Sequence, residues 1–325
     1  MNRPTVYITS PLPEAAMRII ATACEYRQWT EDRPVPREVL LREAAGVDGI
    51  LARLTDRIDG ELLDAAPRCK VVSNCAVGYD NIHVPALTER GVLACNTPGV
   101  LTETTADLAW ALVMAAGRRI VEGQDTIRQG RWNSSNLMFM TGQDIYGATL
   151  GLVGPGRIGS AVVRRAKGFD MKVLYHSRNR HPQLEAESGA EYRALDDLLR
   201  ESDFVVVLVP LSDATRGMFG AREFGLMKDS AVFVNVSRGA VVKEMELFDA
   251  LKQGRPWAAG LDVFEKEPIG PDHPLLTLPN VVAVPHIGSA SVATRTRMAT
   301  LAATNLVAAL TGQKVPAPIN PEVLR

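Results

Sequence analysis

Leu150-Gly151-Leu152-Val153-Gly154-Pro155-Gly156-Arg157-Ile158-Gly159 is an apolar run that breaks into a glycine-rich turn and then into a helical pattern. Gly154, Gly156 and Gly159 fit G-x-G-x-x-G. The first glycine of that pattern permits a tight turn. The second lets backbone approach a pyrophosphate, and the third lets helix and strand pack closely. Arg157 and Ile158 open the helix, whose free N–H groups and partial positive charge face the phosphates. A glycine-rich turn without a ligand is the plain alternative. A strand before the turn and a helix and further strand after it favour the dinucleotide reading.

On the C-terminal side, apolar runs at 172–175, 204–209, 231–236, 258–261 and 281–284 read as further strands, with helical patterns between them. The run at 204–209 is FVVVLV, apolar throughout, as expected of a strand buried on both faces. An earlier series has strands at 5–9, 48–52 and 71–75 and amphipathic stretches at 36–45 and 60–66. Alternation of this kind predicts parallel sheets covered by helices. Long helical patterns at 101–119 and 291–310 separate and follow the two series. The expected α/β fold is therefore two doubly wound parallel-sheet domains, Rossmann-like or flavodoxin-like, with a cleft between them. One domain joins 1–101 to 289–325; the other, 102–288, holds the glycine loop and is the expected NAD(P)-binding domain.

Composition narrows the function. The chain has 325 residues, enough for two cores, and 36 Lys+Arg against 37 Asp+Glu, so no basic excess exists to neutralise a nucleic-acid backbone. No apolar run approaches the length of a membrane span. The opening MNRPTVYITSPLP has no signal-peptide core, and the four cysteines show no metal-ligand spacing. A cytoplasmic protein with reduced thiols, no metal and no nucleic-acid or membrane partner is the expectation. Cys75 reads as a small apolar filler beside a sheet.

The strand at 172–175 leads into His176-Ser177-Arg178-Asn179-Arg180-His181. An NAD site places a carboxylate about 20 residues past the glycines, on the ribose 2′-hydroxyl. Here Ser177, Arg178 and Arg180 stand instead, and guanidiniums suit a 2′-phosphate. NADP(H) is therefore the preferred cofactor, with NAD(H) possible. A solvated basic loop is the alternative.

Three later strand ends carry reactive groups: Ser237-Arg238-Gly239, the stretch Asp262 to Pro268 with Glu267, and Pro285-His286-Ile287-Gly288. Ligands in open α/β sheets bind beyond the carboxyl ends of strands. Reduction of a 2-keto acid needs a cation for the substrate carboxylate and ketone, a proton donor, and a carboxylate to orient that donor. Arg238, His286 and Glu267 meet those needs in turn.

These blocks, with NCAVGYDNIHVPAL (74–87) and TPGVLTETTADLAWAL (97–112), resemble the D-isomer-specific 2-hydroxyacid dehydrogenase family over nearly the whole chain. The run HPLLTLPNVVAVPHIGSA (273–290) is most similar to its glyoxylate/hydroxypyruvate reductase and 2-ketogluconate reductase branch. The resemblance implies Arg238, Glu267 and His286 as the catalytic trio. It implies substrate-carboxylate binding by N–H groups of Val77 and Gly78, with Leu54 nearby. It places Thr105, Pro210, Thr215, Val236, Asp262 and Gly288 around the cofactor, with Ser237 and His286 beside them, and implies a homodimer. Pro155 departs from the usual pattern and cannot donate an N–H to phosphate. Two other functions stay open: a dinucleotide-sensing binding protein on the same fold, and a dehydrogenase of a small anion such as phosphite. A formate oxidiser usually has an amide where this chain has Glu267. Glyoxylate, hydroxypyruvate and 2-ketogluconate are the candidate substrates. The Met- and aromatic-rich segment 133–141 is a candidate pocket wall or dimer contact.

Overall fold

The computed structural model describes residues 3–324. It divides into two compact units, one running to Leu101 and resuming at Ala290, the other spanning Thr102–Ser289.

The first unit holds a five-stranded parallel sheet: β1 (Thr5–Ile8), β2 (Glu25–Gln28), β3 (Gly49–Ala52), β4 (Val71–Asn74) and β5 (Leu93–Cys95). Their order, β2-β1-β3-β4-β5, is the flavodoxin-like arrangement, with its reversal of direction at β1/β3. Side chains alternate between two buried faces. Tyr7, Ile50 and Val72 pack with Leu40 and Leu62 on one. Val6, Ile8, Leu51 and Val71 pack with Ile20 and Leu306 on the other. Leu306 comes from helix Val292–Leu310, whose N-cap Ser291 accepts from the Thr294 N–H. The same helix is tied to the sheet where the Ser73 hydroxyl donates to the Ala302 carbonyl at 2.8 Å.

The second unit holds seven parallel strands: β6 (Thr149–Val153), β7 (Lys172–His176), β8 (Glu191–Tyr192), β9 (Phe204–Val207), β10 (Val232–Asn235), β11 (Ala258–Leu261) and β12 (Val281–Ala283). Their order is β12-β11-β10-β9-β6-β7-β8. Counted from β6 this is 3-2-1-4-5-6 with one strand added, the Rossmann order, and its switch point lies between β6 and β9. Val205, Val207 and Phe233 face one helical layer, and Leu150, Leu152 and Val234 the other. Helix Thr102–Gly117 packs on the second face through Ala109, Leu112 and Val113.

Two parallel-sheet α/β units of Rossmann-like kind were expected from the sequence, and that class is what folds. β2, β5 and β8 were not anticipated, β5 being only three residues long. Glu25–Gln28 is mostly exposed and has only Tyr26 as a large apolar group, and β8 is two residues long. β9 ends at Val207, two residues before its apolar run does, and the Leu208 backbone beyond it passes close to Gly154.

Candidate active site

The glycine loop holds two glycines that packing requires and one that it does not. Gly154 has φ +99°, a left-handed conformation, and a Cβ there would stand 2.8 Å from the Leu208 carbonyl carbon. A Cβ on Gly159 would stand 2.5 Å from the Gly154 oxygen. The fold itself requires both. Gly156 differs: its φ is −71°, and a Cβ would meet nothing within 4 Å. Nothing in the protein asks for glycine there. The open space lies at the N-terminus of helix Arg157–Ala166, whose free N–H groups and partial positive charge suit an anion. Ile158 is half-buried against the core, and Arg157 is exposed. This cradle fits a dinucleotide pyrophosphate.

Beyond β7, the two arginines are not equivalent. Arg180 is committed to Glu185 through two bonds, 3.0 and 2.9 Å long. Glu185 is itself anchored by the Tyr175 hydroxyl. Arg178 is exposed and makes no ion pair or side-chain hydrogen bond among the described residues. The Ser177 hydroxyl donates to the Asn179 carbonyl, which shapes the loop. Across the switch point, the Thr215 hydroxyl donates to the Pro210 carbonyl at 2.7 Å and closes that turn.

The β10 end is shaped by a residue that the sequence reading passed over. Asn235 is 1% exposed. Its Oδ1 accepts from the Ser237 N–H at 3.0 Å and the Ser237 hydroxyl at 2.7 Å, and its Nδ2 donates to the Arg238 carbonyl at 3.1 Å. The Arg238 guanidinium turns back to donate to the Ser237 carbonyl at 2.8 Å. A Cβ on Gly239 would lie 1.8 Å from the Phe264 carbonyl carbon. Glycine there lets the Arg238 turn press against the loop that carries Glu267. Val236 and Ser237 are buried beneath it.

Glu267 and His286 form a close pair. The His286 Nδ1 is 2.6 Å from Glu267 Oε2, while Glu267 Oε1 accepts from the Phe264 N–H at 2.9 Å. Burial pushes the Glu267 carboxyl up, but the His286 hydrogen bond and charge outweigh it and hold the group below the usual carboxylate range. His286 has φ +52°, uncommon for a non-glycine and the kind of strain found at functional sites. Asp262 holds that turn in place. Its carbonyl accepts from the His286 N–H at 2.9 Å, and its carboxylate accepts from Ile287 N–H at 2.6 Å and Gly288 N–H at 2.9 Å. Asp262 is 1% exposed, and burial pushes its carboxyl up to about 6 against the pull of those bonds. Gly288 gives room for Asp262 and Thr105, which a Cβ would meet at 3.0 and 3.3 Å.

In the first unit, the turn after β4 directs its backbone. The carbonyls of Ala76, Val77 and Gly78 accept from Thr97 N–H, Asn96 Nδ2 and Asn74 Nδ2, at 2.8, 2.8 and 2.9 Å. The N–H groups of the same three residues have no acceptor among the described residues. Three successive amides with their carbonyls tied back have the chemistry that suits an anion. Leu54 is half-buried on the loop after β3, held where Asn81 Nδ2 donates to the Arg53 carbonyl at 3.0 Å. Asn74 and Asn96 went unremarked in the sequence, although Asn74 opens the quoted block. Cys75 is a filler as expected, its thiol pushed up to about 11 by burial. No cluster of metal-ligating side chains exists among the described residues, and no described helix is long and apolar enough to cross a membrane.

A Rossmann sheet with a pyrophosphate cradle and an Arg, Glu and His at its strand ends defines a nicotinamide-dependent dehydrogenase. The pattern of the D-isomer specific 2-hydroxyacid dehydrogenase NAD binding domain matches residues 110–288, and the chain belongs to that family. It is 48% identical to the glyoxylate reductase of Thermococcus kodakarensis over 99% of this chain and 98% of that one. A solved structure of a protein from Thermus thermophilus superposes with TM-score 0.91 at 41% identity, covering 97% and 99% of the two chains. The NADPH-dependent glyoxylate/hydroxypyruvate reductase of Sinorhizobium meliloti, solved with NADP and malonate, superposes with TM-score 0.85 at 32% identity, covering 98% and 97%. The chain is an NAD(P)-dependent dehydrogenase of 2-keto and 2-hydroxy acids.

Proposed function

We propose that this enzyme uses NADPH to reduce glyoxylate, hydroxypyruvate or a related small 2-keto acid to the D-2-hydroxy acid. The observation that carries the reading is the 2.6 Å pair of His286 and Glu267 at the strand ends of a dinucleotide-binding sheet. When bound, the reduced nicotinamide supplies the hydride. His286 donates the proton to the developing alkoxide through Nε2, the nitrogen left free by Glu267. Glu267 orients the ring and favours its charged form. Arg238 binds substrate and polarises the ketone with its planar fork. The first unit contributes the amides of Val77 and Gly78, joined by Ala76, whose chemistry suits the substrate carboxylate.

Arg178 carries the preference for NADPH, since Arg180 is occupied by Glu185. Thr105, Pro210, Thr215, Val236, Ser237, Asp262 and Gly288 frame the cofactor. The reading is supported by glyoxylate reductases at 48% identity and by the NADP-bound relative. A homodimer fits the surface of the second unit, where Trp132, Leu137 and Met138 are 66%, 92% and 68% exposed. Sedimentation as a stable monomer would remove that part.

The test is a set of initial rates with NADPH and NADH on glyoxylate, hydroxypyruvate, pyruvate and 2-ketogluconate, with chiral analysis of the product. Turnover of the small keto acids to D-products with NADPH preferred is expected. Absence of turnover with every acid, alongside tight dinucleotide binding, would mark a sensor instead. Oxidation of phosphite without keto-acid reduction would mark the other alternative.

A further inference from the structure

Beneath the Glu267 loop lies a second histidine–glutamate pair that the reaction does not use. His273 and Glu244 are mostly buried, with side chains 19% and 13% exposed. The His273 Nε2 lies 3.4 Å from Glu244 Oε2, and its Nδ1 is buried without a hydrogen-bond partner. The other Glu244 oxygen, Oε1, accepts the Glu265 N–H. The His273 ring meets the Phe264 ring edge to face, 5.6 Å between centroids. Phe264 in turn donates its N–H to Glu267 Oε1 at 2.9 Å. Side chains from two separate segments thus grip two consecutive residues of the loop, and one of those residues grips the carboxylate that orients His286.

We infer that Glu244 and His273 are positioning residues for the reaction, a brace that fixes the 264–265 backbone and so aims Glu267 at His286. The inference rests on the dyad reading above. A buried polar nitrogen left unpaired is a feature that calls for a reason. A ring held for its 3.4 Å Nε2 contact with Glu244 and its edge contact with Phe264 supplies one. The brace is separate from the Arg238 turn, which meets the same loop at Phe264 from the Gly239 side.

The experiment is a double-variant cycle on the full-length enzyme with glyoxylate and NADPH. Glu244→Ala should lower kcat about tenfold, the size of one lost hydrogen bond read in a barrier. NADPH affinity should stay within about twofold, since the brace touches no cofactor group. Glu244→Gln keeps an acceptor for the Glu265 N–H and should recover most of the rate. The decisive comparison is Glu244→Ala combined with Glu267→Gln. If the brace acts through Glu267, the double variant is as slow as Glu267→Gln alone. If its loss is instead the product of the two single losses, or if Glu244→Ala turns over like the unmodified enzyme, the brace is refuted. Should Glu244→Ala fail to fold, His273→Phe keeps a ring on Phe264 and removes the Nε2 contact with Glu244. It should slow turnover by about threefold with the same non-additivity. A Glu267→Gln enzyme with full turnover would instead overturn the dyad reading, and the brace with it.

Discussion

Gly156→Ala should leave the fold intact and damage dinucleotide binding. The position has φ −71° and ψ −167°, extended backbone that any residue adopts. The added methyl would meet no protein atom within 4 Å. As an N-cap, alanine costs up to about 1 kcal/mol relative to better caps. The lost freedom of the unfolded chain returns about 0.4–1 kcal/mol. The net change is therefore under about 1 kcal/mol, a Tm shift of less than about 4 °C. Gly154→Ala and Gly159→Ala are the controls. Their methyls would stand 2.8 and 2.5 Å from backbone atoms, and Gly154 has φ +99°. Each should cost more than about 2 kcal/mol through clash or left-handed strain. In the bound state the Gly156 methyl intrudes where backbone must approach the pyrophosphate. Loss of one charge-assisted bond, roughly 1.5–3 kcal/mol, weakens binding about 10- to 150-fold. Calorimetric Tm and fluorescence titration with NADPH measure the two effects separately. An unchanged NADPH affinity, or a Tm drop matching Gly154→Ala, would refute the assignment of that space to the cofactor.

Arg178→Ala should raise the KM for NADPH about 10- to 150-fold and leave that for NADH nearly unchanged, whereas Arg180→Ala should do far less; equal effects in a KM series would contradict the division between them. His286→Asn suits the left-handed backbone yet removes the acid, so kcat should fall by about 100-fold or more with Tm nearly unchanged. Glu267→Gln should move the alkaline limb of reduction to lower pH, and an unmoved limb in the pH–rate profile would break the proposed pairing. Asp262, raised from 3.8 to about 6, takes up a proton in the native state before it does in the unfolded chain. Its contribution to stability is thus fully present below about 3.8 and lost as pH rises through about 6. Relative to Asp262→Asn, the unmodified enzyme should gain about 1 kcal/mol between pH 7 and pH 5 in denaturant titrations.

The layered architecture and the chemistry at the strand ends are legible in the chain before it folds. Strands buried on both faces must be apolar throughout, so FVVVLV at 204–209 declares itself without a neighbour. The glycine spacing and the types Arg, Glu and His are equally local. Edge strands escape that logic: Glu25–Gln28 buries too little to show a pattern, and its pairing with β1 is a backbone matter. The pattern assigns each glycine its role by position, and packing supplies the physical reason: a Cβ would clash at Gly154 and Gly159 and meet only open space at Gly156. Packing also commits Arg180 to a carboxylate and leaves Arg178 without one, although both are equally basic in the chain. Asn235, Asn74, Asn96, Glu244 and His273 likewise become supports of functional groups only in the folded chain. Such residues act through hydrogen bonds whose partners are set by where strands and loops converge. Residue type records that a side chain can donate or accept, and only tertiary convergence fixes which group stands within hydrogen-bonding reach of it.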